Sequence, residues 1–104
     1  MKAIRLRTVQ SGPSDVEGEL EWAEVIRQVI RKPKDASKGV EIEEMRKSIR
    51  VLNTLEKSNG VLELEDADWE HLKEKTLAMQ WGIVDSRIVQ FVDEVLTATE
   101  TPPV

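Results

Sequence analysis

The sequence contains no cysteine, no tyrosine and only one histidine among its 104 residues. Without thiols the chain can form neither disulfide bridges nor thiolate zinc sites, and it has no thiol nucleophile. Small secreted domains often depend on disulfides, so we expect an intracellular protein. Residues 1–10 have no apolar core of the signal-peptide kind, and we therefore expect no export signal.

Long apolar runs are also missing, since no stretch approaches the ~18 residues that a membrane-spanning helix needs. Hydrophobic residues make up 39% of the chain, which is too high a share for a disordered protein. The length fits one domain with its own core. We predict a single globular domain over residues 1–98 and a disordered tail over residues 99–104, which contain Pro102 and Pro103.

Charge is unevenly distributed along the chain, whose formal net charge is -5. Residues 1–50 carry 11 Lys and Arg against 9 Asp and Glu, whereas residues 51–104 carry 4 against 11. An acidic chain is poorly suited to nucleic acid, because phosphate contacts need clustered Lys and Arg. The asymmetry favours charge matching within the molecule or a protein partner with a basic face.

Apolar residues recur every three or four positions in four segments, which is the spacing of amphipathic helices. We expect the first helix after a cap at Ser14 or Asp15, with acidic residues 17, 19 and 21 near its start and Pro33 ending it. The second covers residues 41–58, the third runs from Asp66 to residue 81, and the fourth begins at Asp85 or Ser86. The residues expected to face inward are, helix by helix, Trp22, Val25, Ile26, Val29 and Ile30; Ile42, Met45, Ile49, Leu52 and Leu55; Trp69, Leu72, Thr76, Leu77 and Met79; and Ile88, Phe91, Val92, Val95 and Leu96.

Two short segments alternate in the manner of half-buried strands, residues 2–9 and 61–65. If they pair, Ile4 and Leu6 join Leu62 and Leu64 on the core side, and Arg5 and Arg7 share the outer face with Glu63 and Glu65. The predicted fold class is therefore α+β and mostly helical, with about four helices packed with a short two-stranded sheet.

The acidic stretch over residues 63–74 is the densest set of potential metal ligands, and His71 lies within it. His71 and Glu74 would share a helical face, but no second histidine or cysteine is available, and the spacing does not fit a calcium loop. We therefore predict neither a metal site nor a cofactor, and we interpret His71 as a surface or helix-flank residue. No nucleotide-binding glycine loop or GxSxG sequence occurs, so we expect no enzymatic activity. A small metal-dependent enzyme centred on His71 is the third hypothesis.

Basic residues of the predicted second helix support an alternative function, a small DNA-binding transcriptional regulator that uses Arg46, Lys47 and Arg50. Two features oppose it. The segment between the first two helices is longer than the three- or four-residue turn of a helix-turn-helix motif. Acidic residues such as Glu43 and Glu44 also dilute the positive charge.

An apolar corner formed by Trp81, Ile83 and Val84 lies between the third and fourth predicted helices. It either packs inward or forms an exposed patch for a partner. Together with Glu63 and Glu65, these are our candidate partner-binding residues. The leading hypothesis is a non-enzymatic protein–protein interaction or accessory protein, and the apolar stripes leave open whether one of them is instead the seam of a homodimer.

Two stretches, VLELEDADWEHLK (residues 61–73) and IVDSRIVQFVDEVL (residues 83–96), resemble small, mostly uncharacterised proteins of tailed bacteriophages and prophages. The resemblance covers about a third of the chain and contains no signature that carries chemistry. It implies an accessory protein of the bacterial cytoplasm, with a role in particle assembly or host modulation, and it transfers no functional residue.

Overall fold

The computed structural model describes residues 1–100, which form four helices and five short strands. This arrangement confirms the predicted α+β, mostly helical fold class. None of the helices in the described part combines the length and the apolarity that crossing a membrane requires. The strands are β1 (Lys2–Arg5), β2 (Thr8–Val9), β3 (Leu20–Glu21), β4 (Val61–Leu64) and β5 (Thr99–Glu100), and the helices are α1 (Trp22–Arg31), α2 (Ile42–Lys57), α3 (Asp66–Ala78) and α4 (Ser86–Leu96).

The main sheet has β1 at its centre, with β4 and β5 antiparallel on either side. The predicted pairing of the two alternating segments is present, and Ile4 lies opposite Leu62 with both side chains buried. The third strand, β5, falls at the start of the segment predicted as a tail. A two-residue strand carries no alternation, so the sequence pattern could not predict it. Residues 101–104, which include the predicted Pro-Pro tail, lie outside the described residues.

Helix α1 begins later than the sequence predicted, at Trp22. The expected cap at Ser14 or Asp15 was wrong, because the chain first turns at Gly18, which adopts a positive φ of 107°. This turn lets β3 pair antiparallel with β2 in a second, two-stranded sheet. The backbone N–H of Trp22 then donates to the carbonyl of Arg7 at 2.9 Å, which fixes the start of the helix against the residue that precedes β2.

Helix α2 has nearly the predicted bounds but buries a different face. Ser48, Val51 and Leu55 are buried, whereas Ile42, Met45 and Ile49 are 60%, 43% and 46% exposed. The helix has two apolar rows, and the row that ends at Leu55 packs against α1, α3 and β4. The prediction that Ile42, Met45 and Ile49 face the core was therefore wrong.

The core lies between the main sheet and the helices, and Trp22 and Phe91 are at its centre. Their rings meet edge to face, with centroids 5.6 Å apart and an interplanar angle of 83°. Leu72 and Thr76 of α3 are buried as predicted, but Leu77 is exposed. The fully or nearly fully buried apolar side chains are Ile4, Trp22, Val25, Ile26, Val29, Ile30, Val51, Leu55, Leu62, Leu64, Leu72, Phe91 and Val95.

Candidate functional site

The buried side chain of Arg87, in the first turn of α4, binds the loop that connects β2 to β3. Its Nε and Nη2 donate to the two carboxylate oxygens of Asp85 at 3.0 and 2.8 Å. Nη1 donates to the carbonyls of Val9 (3.0 Å) and Gly18 (2.7 Å), and Nη2 donates to that of Val16 (2.8 Å). These contacts use all five N–H donors of the guanidinium, whose planar geometry suits such a set of acceptors.

Asp85 is the N-cap of α4, as the sequence predicted, since its carboxylate accepts from the backbone N–H of Arg87 at 2.9 Å. It also accepts from the backbone N–H of Val16 at 3.3 Å, so it joins the same loop from the other side. The Arg87 guanidinium holds the pKa of the Asp85 carboxyl well below its usual range. The Asp85 carboxylate therefore stays ionised at pH values where an ordinary carboxyl group is already protonated.

Asp15 closes the loop onto α4 at a second point. Its carboxylate accepts from the backbone N–H and the hydroxyl of Ser86, both at 2.8 Å, and from the backbone N–H of Gly12 at 2.8 Å. These hydrogen bonds lower the pKa of Asp15, with the Gly12 contact contributing most. The residue predicted to cap the first helix thus supports the last one, 71 positions further along the chain.

The corner between α3 and α4 is divided between core and solvent. The half-buried ring of Trp81 packs edge-on against Phe91, with centroids 6.5 Å apart. Ile83 and Val84, in contrast, are 53% and 93% exposed. Val16, which is bonded to Asp85, adds a third exposed aliphatic side chain at this place. We refer to Val16, Ile83 and Val84 as the corner patch. The place of Val16 in this patch could not be predicted from the sequence, because only the folded loop brings it next to α4.

The other predicted partner-binding residues, Glu63 and Glu65, are exposed on β4 and just after it. Glu63 lies opposite Ala3 in the sheet, so it shares the outer face of the sheet with Arg5 as predicted. Arg7 lies beyond the end of β1 and forms an ion pair with Glu94 of α4 at 2.6 Å instead. Within residues 1–100, no recorded hydrogen bond or ion pair connects the two predicted glutamates with the corner patch.

The basic residues proposed for nucleic acid, Arg46, Lys47 and Arg50, are all exposed on α2. Arg50 is partly neutralised, since its Nε and Nη2 both donate to one carboxylate oxygen of Asp68, at 3.2 and 3.0 Å. Exposed apolar side chains of the same helix, among them Met45, interrupt this basic surface.

His71 was predicted to lie at the surface, and this was wrong, because the side chain is buried between α3 and α2. Its Nε2 lies 2.9 Å from the hydroxyl of Ser48, which is also buried. Burial lowers the pKa of His71, and the nearby positive charge of Lys75 lowers it further. A serine–histidine pair can form a nucleophile and its base, but in residues 1–100 no carboxylate is hydrogen-bonded to this imidazole.

The acidic residues near His71 are engaged in ion pairs, such as that of Glu74 with Lys34 at 2.6 Å. In the part of the chain that the structure describes, no three His, Asp or Glu side chains come close enough to hold a metal ion. An open cleft lies between the loop after α1 and the end of α3, and two of the charged residues that line it, Lys34 and Asp35, have partners nearby. Asp35, for instance, accepts from the backbone N–H and the hydroxyl of Ser37, at 3.0 and 2.7 Å.

Comparison with protein-family models, with curated proteins and with solved structures finds no match to this chain. The resemblance of residues 61–96 to phage and prophage proteins therefore stays a prediction. The function has to be argued from the surfaces themselves, and the corner patch is the candidate site with the best-defined support.

Proposed function

We propose that this chain is a non-enzymatic protein-interaction module that binds another protein through the corner patch in the bacterial cytoplasm. The observation that carries the proposal is the 93% exposure of Val84 directly beside Asp85, which Arg87 holds in place. Large aliphatic side chains that are exposed together commonly mark protein-interaction sites. The resemblance to phage accessory proteins is consistent with an assembly or host-modulating role.

The rigid support of the patch favours binding. Association is weakened by the entropy lost when flexible segments become ordered, so a preordered segment binds more tightly with the same contacts. Val16 and Val84 belong to two loops, and Asp85 and Arg87 connect both loops by hydrogen bonds before any partner arrives. Trp81 connects the segment of the corner patch to the core through its contact with Phe91.

The charge around the patch indicates the kind of partner. Residues 51–104, which contribute Ile83 and Val84, carry 4 basic against 11 acidic residues. A stable interface buries about 800 Å² on each partner, so exposed residues next to the patch, such as Glu17 beside Val16, would lie within its rim. The partner we expect presents a small apolar pocket surrounded by Lys and Arg, because complementary rims speed association and exclude wrong partners.

An affinity pull-down from host lysate, with and without nuclease and read by mass spectrometry, tests the proposal. The variant is Val84→Asp, and the matched control is Leu77→Asp, which changes an exposed aliphatic residue of α3 in the same way. We expect one stoichiometric protein that survives nuclease, is lost with Val84→Asp and is retained with Leu77→Asp.

Two results would contradict this proposal. A captured protein that binds Val84→Asp and Ile83→Asp as well as it binds the wild type would show that the corner patch is not the contact. Recovery of nucleic acid alone would favour the DNA-binding regulator. Trp81→Ala is a poor test, because the loss of its contact with Phe91 would also destabilise the core.

A further inference from the structure

A second apolar surface lies on α2, away from the corner patch. Ile42, Met45 and Ile49 follow one another at intervals of three and four residues, so they form one continuous row along the helix. Each is at least 43% exposed. Single exposed aliphatic residues are ordinary, but a row of three on one helix face is the pattern of a helix that packs against another helix. We refer to these three residues as the outer stripe.

A basic flank runs alongside the outer stripe. Arg46 and Arg50 are one helical turn apart, and Lys57 continues the same side of the helix. All three are exposed, and of them Arg50 shares its charge with Asp68. Glu43 and Asp68, which pairs with Arg50, make two acidic residues against the three basic ones, so the flank keeps a small net positive charge on a molecule whose net charge is -5. Glu56, which is also exposed, lies seven residues after Ile49 on the line of the outer stripe.

We propose that the outer stripe of α2 docks an amphipathic helix of another protein, whose apolar row is bordered by Asp or Glu where it meets the basic flank. In docking of this kind, apolar side chains three and four residues apart make the contact between the helices, and the outer stripe has this spacing. The opposite charges on the two flanks would fix the orientation of the bound helix. Since this surface shares no residue with the corner patch, the proposal does not depend on the proposed function.

A second copy of this chain is a less suitable occupant. In a two-fold symmetric pair the same surface meets itself. An antiparallel pair of α2 helices centred on the outer stripe would therefore place Arg46 of one copy beside Arg46 of its mate. Like charges in such positions oppose association, whereas an acidic helix would be attracted to the same flank.

The position of α2 in the fold makes simultaneous binding at both surfaces feasible. Helix α3 packs against α2 and also against α4, whose first turn supports the corner patch. A chain with two such surfaces would connect an acidic amphipathic helix at α2 with a basic-rimmed partner at the corner. This adaptor role rests on the proposed function as well, whereas docking at the outer stripe does not.

The test uses a yeast-displayed library of amphipathic helices in which the apolar row is fixed and one flank is varied among Glu, Gln and Lys. The library is sorted against the full chain and against Ile49→Lys, which places a charge in the outer stripe at an exposed position. We expect the selected helices to carry Glu on the varied flank and to bind Ile49→Lys about tenfold more weakly or worse.

Charge reversal gives the sharper arm of the experiment. In the variant with Arg46→Glu and Lys57→Glu, the ion pair of Arg50 with Asp68 is kept, so the fold should be unaffected. This variant should select Lys instead of Glu. Val84→Asp should select the same helices as the wild type, which separates a failure of this proposal from a failure of the corner patch.

Three results would overturn the proposal. In the first, the selected helices bind Ile49→Lys as well as they bind the wild type. In the second, the selected helices show no preference among Glu, Gln and Lys on the varied flank. In the third, the charge-reversed variant still selects Glu. Sedimentation of the wild type alone completes the test. A concentration-dependent dimer that Ile49→Lys abolishes would assign the outer stripe to a second copy of this chain instead.

Discussion

The imidazole Nε2 of His71 on α3 lies 2.9 Å from the hydroxyl oxygen of Ser48 on α2, and both side chains are buried. A buried polar group without a partner is strongly unfavourable, so the hydrogen bond between these two side chains offsets the free-energy cost of burying both. This pair helps to explain the orientation of α2. With Ser48 turned towards α3, the row that contains Met45 and Ile49 faces solvent.

The first prediction concerns the pH dependence of stability. Burial, with Lys75, Lys34 and Lys47 nearby, lowers the pKa of His71 from its usual 6.5, and Glu44 opposes this shift only in part. The unfolded chain therefore binds a proton at a higher pH than the folded chain does. The contribution of His71 to the free energy of unfolding should be fully present above pH 6.5. It should be lost as the pH drops from there towards the lower pKa of the folded state.

Urea denaturation at a series of pH values checks this prediction. Gln cannot titrate but can hydrogen-bond to Ser48, so the His71→Gln variant should lose the decline just below pH 6.5. If the free energy of unfolding declines equally in the variant and the wild type, a titrating group other than His71 is responsible. The comparison must stay above the range in which Asp and Glu titrate, at about 4.

The second prediction concerns Lys75, whose side chain is completely buried. Its ammonium donates to the backbone carbonyl of Lys32 and lies 3.4 Å from the carboxylate of Glu44. Met fills the same space but leaves the largely buried carboxylate of Glu44 and the carbonyl of Lys32 without their donor, so Lys75→Met should be less stable than the wild type by about 1 to 3 kcal/mol. Lys75→Ala leaves a cavity and should be less stable than Lys75→Met by about 2 to 5 kcal/mol.

The same variants report on His71, because the positive charge of Lys75 contributes to its lowered pKa. In Lys75→Met the pKa of His71 should rise, which an NMR titration of the imidazole measures directly. An unchanged pKa would mean that Lys75 does not contribute, and that burial and the other nearby lysines are responsible. A Lys75→Met protein that is as unstable as Lys75→Ala would show that the charge, rather than the packing, matters.

The limits of α2 and the starts of α3 and α4 could be predicted from the sequence, because a spacing of three or four residues is a local property. The predicted end of α3 at residue 81 was wrong, since the helix ends at Ala78. The face that α2 buries could not be predicted, since the helix carries two apolar rows and only contacts with α1 and α3 choose between them. The same holds for the support of the corner patch. Arg87 binds carbonyls 69 and 78 positions away, and no local pattern marks such a contact.

The third prediction concerns Trp22, which is fully buried. Its indole N–H donates to Glu94 at 2.6 Å, and Glu94 also pairs with Arg7 at 2.6 Å. Trp22→Phe keeps most of the apolar burial and loses one charge-assisted hydrogen bond, which we expect to lower stability by about 1.5–3 kcal/mol. Trp22→Ala also removes the contact with Phe91 and should lose about 3–5 kcal/mol.

Chemical denaturation of Trp22→Phe and Glu94→Ala, singly and together, gives the coupling between the two side chains. Either change alone already breaks the indole–carboxylate hydrogen bond, so the two losses should be less than additive. Fully additive losses would mean that the hydrogen bond contributes little to stability.

The last prediction concerns Arg87, on which the corner patch depends. Arg87→Met leaves Asp85 buried without its main partner and frees the carbonyls of Val9, Val16 and Gly18. We expect a thermal midpoint far below that of Arg31→Met, the control at an exposed arginine of α1. Arg87→Lys should restore little, because an ammonium has three donors and no planar fork to match five acceptors.

Hydrogen exchange separates loss of the clamp from general instability. If Arg87 fixes the loop, the backbone N–H of Val16 should exchange much faster in Arg87→Met, while the N–H groups in the middle of α2 stay protected under conditions where both proteins are folded. Binding at the corner patch should weaken in the same variant, and binding at the outer stripe should not. An equal increase in the exchange rate of all these N–H groups would show that Arg87 supports the fold as a whole. The corner patch would then not be a prearranged binding site.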